Sequence, residues 1–238
     1  MEKSGRHHEF VELNRTDGDP VQAFVVFPEV NKPVSAVIVI HENRGLNDWA
    51  RSFADQVAEA GYLAIAPDML SGKGPDGGNT KDFETSDDAR TAIYKLTQEE
   101  VTAAVDAAVR YAEKHEAANG KVVVVGFCWG GAQAFHAATN ENVDAACVFY
   151  GSAPDKEVLE KIQAPVYGFY GGNDFRITGN VPKVAEQMKE ANKKFEPVTY
   201  KEAGHGFMRS GEEKEPEAAN EKGRDEAWQR LLEVLQGV

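Results

Sequence analysis

The feature that most constrains the fold is a run of four valines, residues 122–125, followed by Gly-Phe-Cys-Trp-Gly-Gly at residues 126–131. The β-branched run predicts a buried strand, and the helix-compatible residues 132–138 predict a helix directly after it. Gly-x-Cys-x-Gly between the two elements predicts a sharp strand-to-helix turn that presents a nucleophile. Here the nucleophile is the thiol of Cys128, and a helix N-terminus favours its thiolate form.

The glycines that flank Cys128 have a predicted steric reason. Such a turn packs tightly against the preceding strand and the following helix, so a Cβ at Gly126 or Gly130 would clash. The alternative for Cys128 is a buried structural cysteine in a glycine-rich turn. The other cysteine, Cys147, lies in the apolar run 145–150, where a core strand residue is expected. Neither cysteine belongs to a metal-binding pattern, so we expect no metal site.

Size and charge limit the classes of function. A chain of 238 residues with 42% hydrophobic content predicts a single domain over residues 1–238. A net charge of −13 argues against nucleic acid or an anionic membrane as the main partner, because both would repel the protein. No apolar run approaches the roughly 20 residues that a spanning helix needs. These observations predict a cytoplasmic protein with no membrane partner.

The rest of the chain alternates between strand and helix patterns. Two extended runs, 9–13 and 21–27, flank an Asp-Gly turn and predict a hairpin at the edge of a sheet. Further strands are predicted at residues 36–40, 62–66, 145–150, 166–170 and 196–200. Helices are predicted at residues 47–60, 97–116, 155–162, 181–192 and 218–235. The alternation predicts an α/β fold with a mainly parallel, doubly wound sheet and functional sites at the carboxyl ends of its strands.

One segment breaks this alternation. Residues 68–88 are rich in Gly, Pro, Asp, Asn and Ser and show no periodicity. We therefore predict a long loop here, of the kind that often serves as a lid over a site.

Candidate site residues follow the predicted strands. Asp174 comes after one late strand and His205 after the last, so the chain order Cys128, Asp174, His205 is the nucleophile, acid and histidine order of the α/β-hydrolase class. Taken singly, the acid could be a turn residue and the histidine an ordinary loop residue. Two backbone N–H groups are expected to stabilise the oxyanion, and by position these belong to Trp129 and Asn43.

Several motifs together resemble the dienelactone hydrolases, or carboxymethylenebutenolidases. The resemblance runs from about Val21 to the C-terminal helix and rests on residues 41–42, 44–47, 67–68, 126–131, 174 and 204–207. It implies the α/β-hydrolase fold, with a central, mostly parallel eight-stranded sheet and helices on both faces. It also implies a Cys128, His205, Asp174 triad that needs no cofactor.

The resemblance further implies roles for three charged residues. In the family, the glutamate at the position of Glu42 keeps the resting thiol neutral and helps to generate the thiolate when substrate arrives. Arg209 matches an arginine that holds the substrate carboxylate, and Arg90 matches a second one less closely. The alternatives are an exposed loop acid for Glu42 and solvated surface charges for the arginines. Asn43 and Arg44 depart from the apolar residues that are usual there, which makes the mouth of the pocket more polar.

The sequence thus predicts a hydrolase of small carboxylic esters or lactones that acts through an acyl thioester on Cys128. The expected substrate is a dienelactone-like small molecule, with a carboxylate if the arginines bind one. One alternative is a general esterase of other substrates. Another, outside catalysis, is a thiol redox sensor or a binding module on a hydrolase fold, since an exposed cysteine at a helix N-terminus is also prone to oxidation.

Overall fold

The computed structural model describes residues 4–238, whose strands form one eight-stranded sheet. The strands are β1 (His8–Leu13), β2 (Val21–Val26), β3 (Val34–Ile40), β4 (Leu63–Pro67), β5 (Ala118–Phe127), β6 (Ala145–Phe149), β7 (Val166–Gly171) and β8 (Phe195–Tyr200). Their order across the sheet is β1-β2-β4-β3-β5-β6-β7-β8. The predicted α/β fold with an eight-stranded sheet is confirmed.

Helices alternate with these strands from β3 onwards. They are α1 (Asp48–Glu59), α2 (Ser86–Ile93), α3 (Gln98–Lys114), α4 (Trp129–Ala137), α5 (Lys156–Leu159), α6 (Phe175–Thr178), α7 (Val181–Glu190), α8 (Phe207–Ser210) and α9 (Ala218–Gln236). The helices that the sequence predicts correspond to α1, α3, α4, α5, α7 and α9. The short helices α6 and α8 have no counterpart in the prediction, because four residues give no periodic signal.

The chain divides within β5 into two compact units. The first unit ends at Val124, and the second begins at Val125. The prediction of a single domain over residues 1–238 stays a prediction, and each unit is described by itself.

In the first unit, the predicted hairpin is confirmed. Strands β1 and β2 pair antiparallel, with Phe10 opposite Phe24 and Leu13 opposite Val21. Strand β2 also pairs antiparallel with β4, and β4 pairs parallel with β3. All residues of β3 and β4 are buried, as their continuous apolar sequences predict. Helix α1 begins after Asn47, whose side chain accepts a hydrogen bond of 3.0 Å from the N–H of Ala50.

The prediction of a loop over residues 68–88 is wrong at residues 86–88, which belong to α2. The rest of this segment is more ordered than expected. Two short 3₁₀ turns, Pro75–Gly77 and Thr80–Asp82, lie within it, and α2 begins at Ser86. The N–H of Asp88 donates to the hydroxyl of Thr85, so a standard N-cap starts α2. The segment lacks periodicity because its order comes from local capping bonds, which hydrophobic patterns do not report.

A buried carboxylate anchors this segment. The two oxygens of Asp68, which is 3% exposed, accept hydrogen bonds from the hydroxyl of Thr80 at 2.6 Å, its N–H at 2.9 Å and the N–H of Leu70 at 3.0 Å. The same Thr80 hydroxyl lies 3.0 Å from the N–H of Leu46, in the loop that follows β3. Residues 68–80 are therefore tied to the β3–α1 loop.

In the second unit, β6, β7 and β8 pair parallel to one another. Their core is aromatic: the rings of Phe149 and Phe169 stack at 4.1 Å, and Phe127 packs against Phe149 at 4.8 Å. Cys147 is fully buried in β6, as predicted, and burial raises the pKa of its thiol to about 12. This thiol is therefore inert at neutral pH.

The Asp68 anchor gives a stability prediction. We expect Asp68→Asn to lower the free energy of unfolding by about 2 kcal/mol, because an amide NH₂ would replace one oxygen that accepts hydrogen bonds. Urea denaturation of the variant measures the change. Asp76→Asn is the matched control, since it removes the same charge from an exposed carboxylate. Equal unfolding free energies for the two variants would contradict the role of Asp68 as an anchor.

Candidate active site

Cys128 lies at the turn between β5 and α4, with a backbone conformation that is rare for a residue with a side chain. Its φ is 55° and its ψ is −113°. Such a conformation costs about 1–3 kcal/mol and persists only where the surroundings enforce it. The N–H of Cys128 donates to the carbonyl of Phe149 at 3.0 Å, which fixes the turn against the end of β6. The side chain is partly exposed, so a reactant can approach the sulfur.

The close packing around the turn explains its glycines. A Cβ added at Gly126 would lie 2.0 Å from the carbonyl oxygen of Gly130, and one added at Gly131 would lie 2.7 Å from that of Phe149. Both distances are far below any real contact, and the neighbouring atoms are backbone atoms that cannot give way. The predicted steric requirement for Gly126 is confirmed, and that for Gly130 stays a prediction.

The structure brings Cys128, His205 and Asp174 together within the second unit. The Nδ1 atom of His205 lies 2.6 Å from Oδ2 of Asp174, and its Nε2 atom lies 3.1 Å from Sγ of Cys128. The side chain of Asp174 is 6% exposed and that of His205 is 34% exposed. The carboxylate is therefore shielded from water, while the ring remains open to a reactant on one side.

The loops that carry the acid and the histidine are bonded to each other. The N–H of Gly172 donates to the carbonyl of Tyr200 at 2.8 Å, and the N–H of Asn173 to that of Ala203 at 2.9 Å. The side chain of Asn173 donates to the carbonyl of Glu202 at 2.9 Å. Because β7 and β8 are parallel neighbours, their carboxyl ends meet at one edge, and these three bonds fix the spacing between the two loops.

Two further residues position His205, and the sequence predicts a role for neither. Asn220 of α9, which is buried, accepts a hydrogen bond of 2.8 Å from the N–H of Gly204 through its side-chain oxygen. The ring of Tyr150 meets the His205 ring edge-on, with centroids 5.1 Å apart. Tyr150 is the last residue of a predicted strand, and the carboxyl end of a strand is where a site residue is expected. Asn220 lies on a helix, and nothing in the sequence indicates that it belongs to a site.

The surroundings of His205 favour its charged form. A hydrogen bond to the sulfur of Cys128 is the largest cause, and with the bond to Asp174 it outweighs burial and raises the pKa of His205 to about 9. In its charged form the ring can donate from both nitrogens, one to the carboxylate and one towards the sulfur.

Glu42 and Asn43 lie in the first unit, on the loop that follows β3. His41, fully buried, donates from Nδ1 to the carbonyl of Glu42 at 2.7 Å and accepts at Nε2 from the N–H of Met69 at 3.2 Å. Burial lowers the pKa of His41, which suits the neutral tautomer that this pair of bonds requires. The Glu42 side chain is also buried. The side-chain amide of Asn43 donates a hydrogen bond of 3.0 Å to the hydroxyl of Tyr94.

The remaining predicted site residues are spread over both units. Trp129 is the first residue of α4, directly after Cys128. Arg209, on α8, is 42% exposed at its side chain and lies 3.7 Å from the carboxylate of Glu213. Arg90 is exposed on α2, a regular helix that begins within the segment predicted as a loop over residues 68–88.

Within residues 4–238, His, Cys, Asp and Glu side chains form no group of three that could hold a metal ion. Over the same residues, every helix is too short or too polar to cross a membrane. The cytoplasmic location stays a prediction.

Comparison with known proteins gives the family. The sequence profile of the dienelactone hydrolase family matches residues 21–238. The carboxymethylenebutenolidase of Pseudomonas putida is 30% identical over 208 residues, which cover 85% of this chain and 86% of the relative. The family resemblance that the sequence motifs indicate is confirmed.

Solved structures agree on the fold. A dienelactone hydrolase from Anabaena variabilis has a TM-score of 0.71 at 19% identity, over 94% of this chain and 97% of that chain. A dienelactone hydrolase-like promiscuous phosphotriesterase from metagenomic libraries has a TM-score of 0.80 at 19% identity, over 98% and 99%. At these identities the likeness shows the fold alone, and the predicted α/β-hydrolase fold is confirmed.

The electrostatics of His205 can be tested directly. We expect an NMR titration of labelled histidine to place its pKa at about 9, and we expect Asp174→Asn to lower it because the variant removes a carboxylate that stabilises the imidazolium. Since the folded-state pKa is raised, the charged ring stabilises the fold fully below about pH 6.5, and this contribution is lost as pH rises through about 9. A His205 that titrates at its ordinary value in both proteins would contradict this picture.

Proposed function

We propose that this protein, which belongs to the dienelactone hydrolase family, hydrolyses small carboxylic esters or lactones through a covalent thioester on Cys128. The family and its carboxymethylenebutenolidase relatives place the chain among hydrolases of esters or lactones. The observation that carries the cysteine mechanism is the chain of two contacts, 3.1 Å from sulfur to imidazole and 2.6 Å from imidazole to carboxylate.

In the first step, the sulfur of Cys128 attacks the carbonyl carbon of the ester. His205 holds the proton that the thiol gives up, and Asp174 keeps the ring in the orientation that presents Nε2 to the sulfur. The strained backbone of Cys128 supports this role, because it presents the sulfur at the end of a buried strand.

The carbonyl oxygen becomes an oxyanion in this step, and we assign its stabilisation to the backbone N–H groups of Trp129 and Asn43. Trp129 begins a helix of nine residues, so its N–H lies at the positive end of a helix dipole. The loop that carries Asn43 is held by His41 through the carbonyl of Glu42 and the N–H of Met69. Such bonds keep an amide in place before the reaction, which is what oxyanion stabilisation needs.

The tetrahedral intermediate then collapses. The bond from the carbonyl carbon to the leaving oxygen breaks, the imidazolium of His205 gives its proton to the departing alkoxide or enolate, and an acyl thioester remains on Cys128. A water molecule that gives its proton to Nε2 of His205 attacks the thioester. The acid product leaves, and the sulfur recovers the proton. No cofactor takes part in this sequence.

Glu42 is proposed to keep the resting thiol neutral and to help generate the thiolate when substrate binds, with the proton passing to His205, as the family resemblance implies. Its side chain is buried, with 7% of the residue exposed. A carboxylate near a thiol disfavours the thiolate by charge repulsion. This role would keep the sulfur unreactive until substrate arrives.

We assign the binding of a substrate carboxylate to Arg209 and Arg90. Arg209 follows His205 by four residues, and its side chain is exposed enough to meet a ligand. Its pairing with Glu213 at 3.7 Å is a surface ion pair between residues four apart, which a substrate carboxylate can replace at little cost. The proposed substrate is therefore a small ester or lactone that carries a carboxylate, and a general esterase remains the alternative.

The mechanism predicts a large effect of Cys128→Ala. We expect the rate of p-nitrophenyl acetate hydrolysis to fall by about 10³-fold or more, because the variant has no sulfur on which the thioester can form. Cys147→Ala, at the fully buried second cysteine, is the matched control and should retain activity. Wild-type rates in folded Cys128→Ala protein would exclude the mechanism.

The substrate assignment predicts a selective effect of the arginines. Arg209→Ala and Arg90→Ala should each raise KM for dienelactone by about tenfold, since each removes a charged hydrogen-bond donor, and should leave KM for p-nitrophenyl acetate unchanged. Lys222→Gln removes an exposed charge from α9 and controls for net charge. If all these proteins turn over dienelactone and the neutral ester alike, the arginines are surface charges and the protein is a general esterase.

A further inference from the structure

A cavity lies in the second unit, beside the elements that hold Asp174. Its volume is about 280 Å³, and no triad residue lines it. The walls come from the loop after β6, from β7 and from helices α6 and α7. We call it the α7 cavity, and the residues that matter here are Tyr170, Arg176, Ile177, Val181, Lys183 and Val184.

The charges around the α7 cavity have one sign. Arg176 and Lys183 line it, and among the described residues that line it there is no Asp or Glu. This is unexpected in a chain with 39 acidic and 26 basic residues. The local excess of positive charge favours an anionic occupant.

The first turn of α7 adds to this field. The helix has ten residues, and its N-cap, Asn180, makes no side-chain capping bond; its amide donates instead to the carbonyl of Arg176 at 3.2 Å. In the first turn Pro182 has no N–H, and the N–H groups of Val181 and Lys183, on the cavity wall, lack the side-chain acceptor that usually satisfies such groups. An anion in the cavity would meet the positive end of the helix.

The hydroxyl of Tyr170 is a second, independent observation that points to a ligand in the α7 cavity. Tyr170 is 2% exposed and lines the cavity, and its hydroxyl makes no hydrogen bond to any of residues 4–238. Its ring is fixed by the Phe195 ring, at 6.5 Å edge-on, and lies over Gly168, where an added Cβ would be 2.4 Å from it. Burial raises the pKa of Tyr170, so the phenol stays neutral and can donate. Its oxygen is not one of the fully buried unpartnered atoms of residues 4–238, so it is open to an acceptor in the cavity.

The rest of the wall is mixed: Ser152, Asn180 and Gln187 are polar, and the other side chains are apolar. Ile177, Val181 and Val184 are buried or half-buried there, so an occupant needs an apolar body as well as a charged end. The volume lies just below the range of drug-sized ligand pockets, about 300–1,000 Å³, which limits the ligand to a small molecule.

We propose that the α7 cavity binds a small organic carboxylate, with the carboxylate at the first turn of α7 between Arg176 and Lys183 and a short apolar body against Ile177 and Val184. The hydroxyl of Tyr170 donates to the ligand. A doubly charged phosphate suits the site less, because it loses more hydration on entering an apolar cavity and is repelled more by a protein of charge −13.

Calorimetric titration of the full chain with benzoate tests the proposal, after Cys128 has been blocked with iodoacetamide. We expect one benzoate per chain, with benzamide and inorganic phosphate at least tenfold weaker. Arg176→Gln together with Lys183→Gln should weaken benzoate binding at least tenfold. Lys189→Gln, on α7 but outside the cavity, and Arg209→Gln should leave it unchanged.

Tyr170→Phe separates binding from folding. The variant removes a hydroxyl that has no partner among residues 4–238, so its urea midpoint should equal or exceed that of the wild type, while its affinity for benzoate falls about fivefold. Failure of benzoate to bind at millimolar concentrations would overturn the proposal. So would binding that Arg209→Gln abolishes and the double variant spares, or tighter binding of phosphate than of benzoate.

Discussion

The contact between the sulfur of Cys128 and the imidazole of His205 is the interaction on which the proposed chemistry depends. The two atoms are 3.1 Å apart although 77 residues separate them in sequence. The sulfur is held by a strained turn, and the imidazole by Asp174 and by the edge of the Tyr150 ring. The same contact is the largest cause of the raised pKa of His205.

This arrangement is costly, and its cost explains the packing nearby. A non-glycine residue at φ 55° and a buried carboxylate both destabilise a fold unless their surroundings compensate. The compensation is visible in the bonds between the β7 and β8 loops and in the stacked rings of Phe149 and Phe169 in the core of the same unit. The packed aromatic core of the second unit thus supports the strained turn at Cys128 and the buried carboxylate of Asp174.

The sequence predicts the fold, and it predicts that Cys128, Asp174 and His205 lie together, because each follows the carboxyl end of a strand and parallel strands bring these ends to one edge. It does not predict Asn220, since a polar side chain on a helix becomes a support only through tertiary contact with Gly204. The sequence shows that His41 follows β3, but it does not show the two hydrogen bonds that the His41 ring makes. The order within segment 68–88 is also invisible in the sequence, because the bonds of Asp68 and the capping bond from Asp88 to Thr85 leave no hydrophobic period.

Turnover is proposed to pass through a thioester on Cys128. The most direct measurement is intact mass spectrometry of enzyme quenched in acid during turnover of a slow ester, followed by peptide mapping. We expect a mass increase of one acyl group, located on the peptide that contains Cys128 and lost on treatment with hydroxylamine, and we expect Asp174→Asn to slow the release of this group. Turnover with no acylated peptide, or with the acyl group on another residue, would contradict the proposal.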